Sequence, residues 1–135
     1  MGATSTHQPQ VSGPLALALR IAIVALALAT AQIHLTLGGL MFTLNAVGYA
    51  TLAAALVLPG PIARVRWLTR YALIGFTAVT IAGWLAFGAR FELAYIDKAI
   101  EAVLIVLVLV ESWVIDGGPL AVARRAQRDV AALLG

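Results

Sequence analysis

Cysteine is absent from this sequence, and charged residues are scarce. The lack of cysteine among the 135 residues excludes disulfides, thiolate metal sites, cysteine nucleophiles and thiol redox chemistry. Only 11% of the residues are charged and 62% are hydrophobic, whereas a soluble domain carries about 25% charged residues. The composition therefore excludes an ordinary soluble domain and predicts a membrane protein.

The sequence has only two histidines and no recognisable catalytic motif. His34 is the only histidine in an apolar segment, which excludes bis-histidine haem ligation within one chain. Of the possible ligands His34, Asp97 and Glu101, only the two carboxylates have a regular spacing, which is a weak metal signal. No phosphate loop or nucleophile motif is present. We therefore expect no enzymatic activity, no cofactor and no bound metal.

Four apolar segments are long enough to cross a bilayer, because a hydrocarbon core of about 30 Å needs about 20 residues per helix. The predicted fold is an all-α membrane protein, an antiparallel four-transmembrane-helix bundle over residues 14–116. A polar N-terminal tail over 1–13 is expected to be disordered. The four predicted spans are 15–37, 40–58, 67–88 and 96–115.

The basic residues predict the orientation of these spans, since positive charge is retained on the cytoplasmic side. Arg90 and Lys98 lie on one side and seven basic residues on the other, which predicts a multi-pass plasma-membrane protein with both termini cytoplasmic. The seven are Arg20, Arg64, Arg66, Arg70, Arg124, Arg125 and Arg128. An alternative is signal-peptidase cleavage after Ala31, which would leave three spans. Against cleavage, the first 20 residues carry Arg20 as their only positive charge, and the apolar run continues to Leu37.

Residues 117–135 predict a cytoplasmic amphipathic helix that begins at Pro119, a favoured first helical position. Its apolar half contains Leu120, Val122, Val130, Leu133 and Leu134, and its basic half contains Arg124, Arg125 and Arg128. We expect this helix to lie on the cytoplasmic leaflet with its arginines against anionic lipid headgroups. A solvated basic face is the alternative. Because the basic residues flank apolar segments and form no continuous patch, nucleic acid is not an expected partner.

Three carboxylates in the fourth span form one stripe. At 3.6 residues per turn, Asp97, Glu101 and Glu111 fall within about 80° of one another. Arg20 and His34 likewise share one face of the first span. Because the two helices run antiparallel, matching depths predict that Arg20 meets Glu111 and that His34 meets Asp97 or Glu101.

Two interpretations of this stripe stay open. The pairs either fix which helices touch, or His34, Asp97 and Glu101 form a titrating proton or cation site. Asn45 and Tyr49, one turn apart on the second span, predict a polar cavity near the outer surface. Lys98 is expected on the exposed outer rim, together with Arg90 and Glu92.

The stretch QIHLTLGGLMFTLNAVGYATLAAALVLPGP, which includes His34, Asn45 and Gly48, resembles small bacterial membrane proteins with four predicted spans. The resemblance covers about a quarter of the chain and implies the architecture alone. In size the chain is also similar to the small multidrug-resistance transporters, which are dimers with an essential carboxylate in the first helix. The first span here has none.

The sequence therefore predicts a non-enzymatic accessory or packing subunit that associates through its helices with another copy or with a membrane-protein partner. The alternative function is a small proton- or cation-coupled transporter or channel built around His34, Asp97 and Glu101.

Overall fold

Six α-helices joined by short turns make up residues 13–135, the part of the chain that the computed structural model describes. The helices are α1 (Gly13–Leu37), α2 (Leu40–Val57), α3 (Pro61–Arg64), α4 (Arg66–Phe87), α5 (Glu92–Asp116) and α6 (Pro119–Leu134). No strand occurs within these residues. The predicted disordered tail lies outside the described residues except for Gly13, which begins α1.

Three helices are long and apolar enough to cross a membrane: α1, α2 and α4. α5 is as long as α1, at 25 residues. It is not among the three because it carries more charged residues, namely Asp97, Lys98, Glu101 and Glu111. It also begins at Glu92, four residues earlier than hydropathy predicts, because backbone hydrogen bonding continues through the polar turn that precedes the apolar run.

The four long helices pack in a ring, in which α1 contacts α2 and α5, and α4 also contacts α2 and α5. α1 and α5 run antiparallel, as the contacts of Arg20 with Glu111 and of His34 with Asp97 show. Buried apolar side chains from all four fill the centre. The largest are Ile23, Tyr49, Leu56, Leu73, Leu104 and Val108.

Glycines permit one tight turn and one close helix contact in this ring. Gly38 and Gly39, with φ of 70° and 89°, form the two-residue turn between α1 and α2. Gly48 brings α2 against α4, since a Cβ at this position would collide with the ring of Phe76. Gly75 of α4 has open space where its Cβ would lie, so it does not contribute to the packing of α2 on α4.

α5 ends at Asp116 and is followed by Gly117, whose φ of 82° is left-handed; Pro119 then begins α6 as predicted. Val122 is the buried residue of α6. Its other large apolar side chains remain exposed, so α6 presents an uncovered apolar face next to a basic one. The exposed set is Leu120, Val130, Leu133 and Leu134.

Candidate functional site

The acidic stripe of α5 faces the interior of the ring. Asp97, Glu101 and Glu111 are buried, whereas Val106 on the opposite side of the helix is 56% exposed. Leu104 and Val108 lie between the carboxylates and are fully buried. The face predicted from helical periodicity is therefore the face that packs.

Glu111 is the centre of a charged group at one end of the ring, here called the Glu111 cluster (Arg20, Arg70, Glu111 and Asp116). Glu111 Oε1 accepts a hydrogen bond from Arg20 Nε at 3.1 Å, and Oε2 accepts one from Arg70 Nε at 2.9 Å. Arg70 Nη1 donates to Asp116 Oδ2 at 2.7 Å. Two arginines and two carboxylates thus neutralise one another.

The structure brings Arg20 and Glu111 together, as the sequence predicts, but Arg70 was counted there only as a cytoplasmic charge. Its side chain is 3% exposed and joins α4 to two carboxylates of α5. The signal for this role was present in the sequence, because position 70 lies within the predicted span 67–88. An arginine inside a span requires a partner.

A second polar group, the His34 cluster (His34, Asp97, Lys98 and Glu101), lies at the opposite end of α1. His34 Nδ1 is 2.8 Å from the Thr30 carbonyl oxygen and 3.8 Å from Asp97 Oδ1. Because a carbonyl oxygen only accepts, Nδ1 carries a proton. The Thr30 hydroxyl also donates to Asp97 Oδ1. The structure therefore places His34 beside Asp97, one of the two predicted neighbours.

Glu101 is enclosed by three donors from three helices. Its Oε1 accepts hydrogen bonds from the Tyr49 hydroxyl at 2.8 Å and from Thr80 Oγ1 at 3.0 Å. Its Oε2 accepts one from Lys98 Nζ at 2.7 Å. The contributions of Thr30 and Thr80 were missed, since threonine in an apolar helix gives no distinctive sequence signal and usually bonds to its own backbone.

The prediction that Lys98 is an exposed rim residue is wrong. Its side chain is 12% exposed, and Nζ lies 3.0 Å from Asp97 Oδ2 as well as 2.7 Å from Glu101. Lys98 follows Asp97 in the helix, so its Cβ points about 100° away from that of Asp97. The flexible four-carbon side chain of Lys98 nevertheless lets its ammonium reach back to the carboxylates. Two buried carboxylates would otherwise lack a cation.

The same arrangement bears on metal binding. Potential ligand atoms of His34, Asp97 and Glu101 lie within 4.8 Å of one another, close enough to surround one ion. The Lys98 ammonium lies 2.7 Å from Glu101 and 3.0 Å from Asp97, so it supplies the positive charge that a metal ion would otherwise supply. The wild-type cluster therefore carries its own counter-charge.

A cavity of about 410 Å³ opens beside the His34 cluster. Asn45 lines it, as predicted, but Tyr49 does not: its ring is buried and its hydroxyl is directed to Glu101. Glu101 is also absent from the lining, which has three ionisable side chains at its inner end and mostly apolar walls. The principal lining residues are His34, Met41, Phe42, Asn45, Val79, Thr80, Gly83, Trp84, Phe87, Phe91, Asp97 and Lys98.

No family model, curated protein or solved structure matches this chain. Its function is therefore argued from the two polar clusters, the cavity and the helices that hold them.

Proposed function

We propose that the chain is an integral membrane protein with four spans, α5 being the fourth, and with both termini on the cytoplasmic side of the plasma membrane. Two observations support the fourth span: α5 closes the ring with the three apolar helices, and its charged side chains face inward while Val106 and Val110 face outward. Charges inside a membrane normally face the bundle interior and are paired there. The excess of Lys and Arg at the Glu111 end supports the orientation.

The proposed activity is that of a non-enzymatic accessory or packing subunit. The observation that carries this proposal is the Glu111 cluster, in which one fully buried carboxylate is held by arginines from two other helices. Both of its oxygens have charged donors, so the cluster fastens α1, α4 and α5 together. A carboxylate saturated in this way favours a fixed scaffold over a group that exchanges protons.

The alternative, a proton or cation carrier centred on Glu101, receives less support from the geometry. The cavity is lined by His34, Asp97 and Lys98 but not by Glu101. Glu101 accepts hydrogen bonds from Tyr49, Thr80 and Lys98. A relay through Glu101 would have to break these contacts in every cycle.

α6 would lie along the surface of the inner leaflet. Its exposed apolar side chains, including Leu133 and Leu134, suit the boundary between headgroups and acyl chains. Arg124, Arg125 and Arg128 would then contact anionic lipid headgroups, at about 1 kcal/mol per residue.

Reconstitution into liposomes containing a pH-sensitive dye separates the two functions. The scaffold proposal predicts that proton flux, driven by an imposed potential, equals that of protein-free liposomes for both the wild type and Glu101→Gln. Flux in the wild type that is lost in Glu101→Gln would overturn it. In discs extracted from the native membrane with polymer, a subunit is expected in an assembly larger than one 14.1 kDa chain; an isolated monomer would contradict the proposal.

A further inference from the structure

The cavity next to the His34 cluster has the form of a ligand site. Its volume of about 410 Å³ lies within the range of small-molecule pockets. Its walls are apolar and aromatic, and polar groups converge at its inner end. Phe87, 93% exposed, marks the opening at the end of α4.

The inner end of the cavity carries one net negative charge when His34 is neutral. Asp97 and Lys98 are part of the lining, and Glu101 lies directly behind Lys98, within 2.7 Å of its ammonium. Two carboxylates therefore share one ammonium. A charge left over in a low-dielectric setting strongly favours a ligand of opposite sign.

The hydrogen-bonding state of His34 adds an acceptor at the same place. Its Nδ1 proton is donated to the Thr30 carbonyl, so Nε2 holds a lone pair, and it has no hydrogen-bond partner among the described residues. In this part of the chain the one fully enclosed side-chain nitrogen or oxygen without a partner is Arg66 Nε. His34 Nε2 is therefore not sealed off and retains access to the cavity that His34 lines.

We infer that the cavity binds an amphiphilic organic cation, with an ammonium group at His34 and Asp97 and an apolar body along the aromatic walls. An anion is disfavoured because Lys98 is already held by two carboxylates. A purely apolar occupant would leave the net charge and the imidazole lone pair unmatched. Phe42 and Phe91 add aromatic rings to the lining, and an aromatic ring can attract a cation.

Protonation of His34 would oppose this binding, because it removes both the lone pair and the net negative charge. The groups around the imidazole are Asp97 of α5 at 3.8 Å, and Phe42 and Tyr49 of α2, whose ring centroids lie 5.8 and 5.7 Å away. Lys98 and Glu101 complete the charged groups at this end. Arg90 stacks on Trp84 at 4.0 Å and adds an exposed positive charge near the mouth. The preference for a cation therefore applies to the neutral imidazole.

Three eight-carbon probes test the inference: octylammonium, octanol and octanoate share one chain and differ in charge. Binding is followed by the fluorescence of Trp84, which lines the cavity, in detergent-solubilised protein carrying Trp67→Phe and Trp113→Phe. Octylammonium is expected to bind on the order of ten-fold more tightly than octanol, and octanoate most weakly.

Two glycines of α4 supply a matched pair of variants. A Cβ on either Gly83 or Gly75 would meet open space, but Gly83 alone of the two lines the cavity. Gly83→Leu should abolish binding of octylammonium, and Gly75→Leu should leave it unchanged. Asp97→Asn should remove the preference for octylammonium over octanol.

Equal affinities for the three probes, or equal binding in Gly83→Leu and Gly75→Leu, would show mere partition into apolar surroundings and overturn the inference. Tightest binding of octanoate would overturn the assigned charge. None of these outcomes depends on whether the protein is a subunit of a larger assembly.

Discussion

Replacing Glu111 by glutamine tests the Glu111 cluster with little change of shape. The carboxylate is fully buried and accepts charged hydrogen bonds at 2.9 and 3.1 Å. Glutamine retains one acceptor oxygen, so one of the two arginine Nε–H groups faces an NH2 donor instead, and Arg70 retains Asp116 as its remaining carboxylate. Arg20, 22% exposed, loses its carboxylate but can turn toward the interface.

The expected loss in the free energy of unfolding is about 3–5 kcal/mol, as found when one partner of a buried ion pair is removed. The assay is unfolding of the purified protein in mixed micelles by increasing sodium dodecyl sulfate, followed by far-ultraviolet circular dichroism. Glu92→Gln is the matched control, since Glu92 lies exposed at the start of the same helix. It should change the free energy by less than about 0.5 kcal/mol.

A double-mutant cycle separates the interaction from general damage. Arg70→Met combined with Glu111→Leu removes both sides of the shorter contact, so the pair should cost less than the sum of the single changes, with a coupling of about 0.5–3 kcal/mol. Exact additivity, or a Glu111→Gln variant as stable as Glu92→Gln, would refute the account of this cluster.

Three further changes probe the remaining contacts by the same titration. Gly48→Ala should destabilise the protein by about 1–3 kcal/mol because its Cβ meets Phe76, whereas Gly75→Ala should stabilise it by about 0.5–1 kcal/mol. Tyr49→Phe, which removes a donor to Glu101, should lose about 1–3 kcal/mol. Lys98→Met leaves two buried carboxylates without an ammonium, so it should destabilise the protein by about 3–5 kcal/mol. Added Zn²⁺ should stabilise this variant but not the wild type.

Helical periodicity was sufficient to predict which face of α5 packs inward. At 3.6 residues per turn, the positions of Asp97, Glu101 and Glu111 fix the directions in which their side chains leave the helix. Val106 and Val110 lie on the opposite, apolar face, which is therefore the one expected to point outward. Depth along an antiparallel pair then predicted Arg20 as the partner of Glu111. These inferences need one helix or two neighbouring helices, for which sequence spacing is enough.

What could not be predicted depends on contacts among three or more helices. Arg70 reaches Glu111 only because α4 packs against α5, and the order of helices around the ring is not encoded in any single segment. Lys98 was misassigned because helical direction describes Cβ, whereas a long side chain places its charge elsewhere. The hydroxyl of Tyr49 turns from the cavity to Glu101, since a buried carboxylate is the stronger acceptor.

Whether α5 crosses the membrane is the central claim, and single-cysteine labelling tests it most directly, because the chain has no cysteine of its own. Ala89→Cys lies before α5 and Ala123→Cys lies in α6, both at exposed positions. A membrane-impermeant maleimide should label Ala89→Cys in intact cells, and should label Ala123→Cys only after the membrane is permeabilised. Labelling of both positions from the same side would show that α5 does not cross, and would contradict the four-span account.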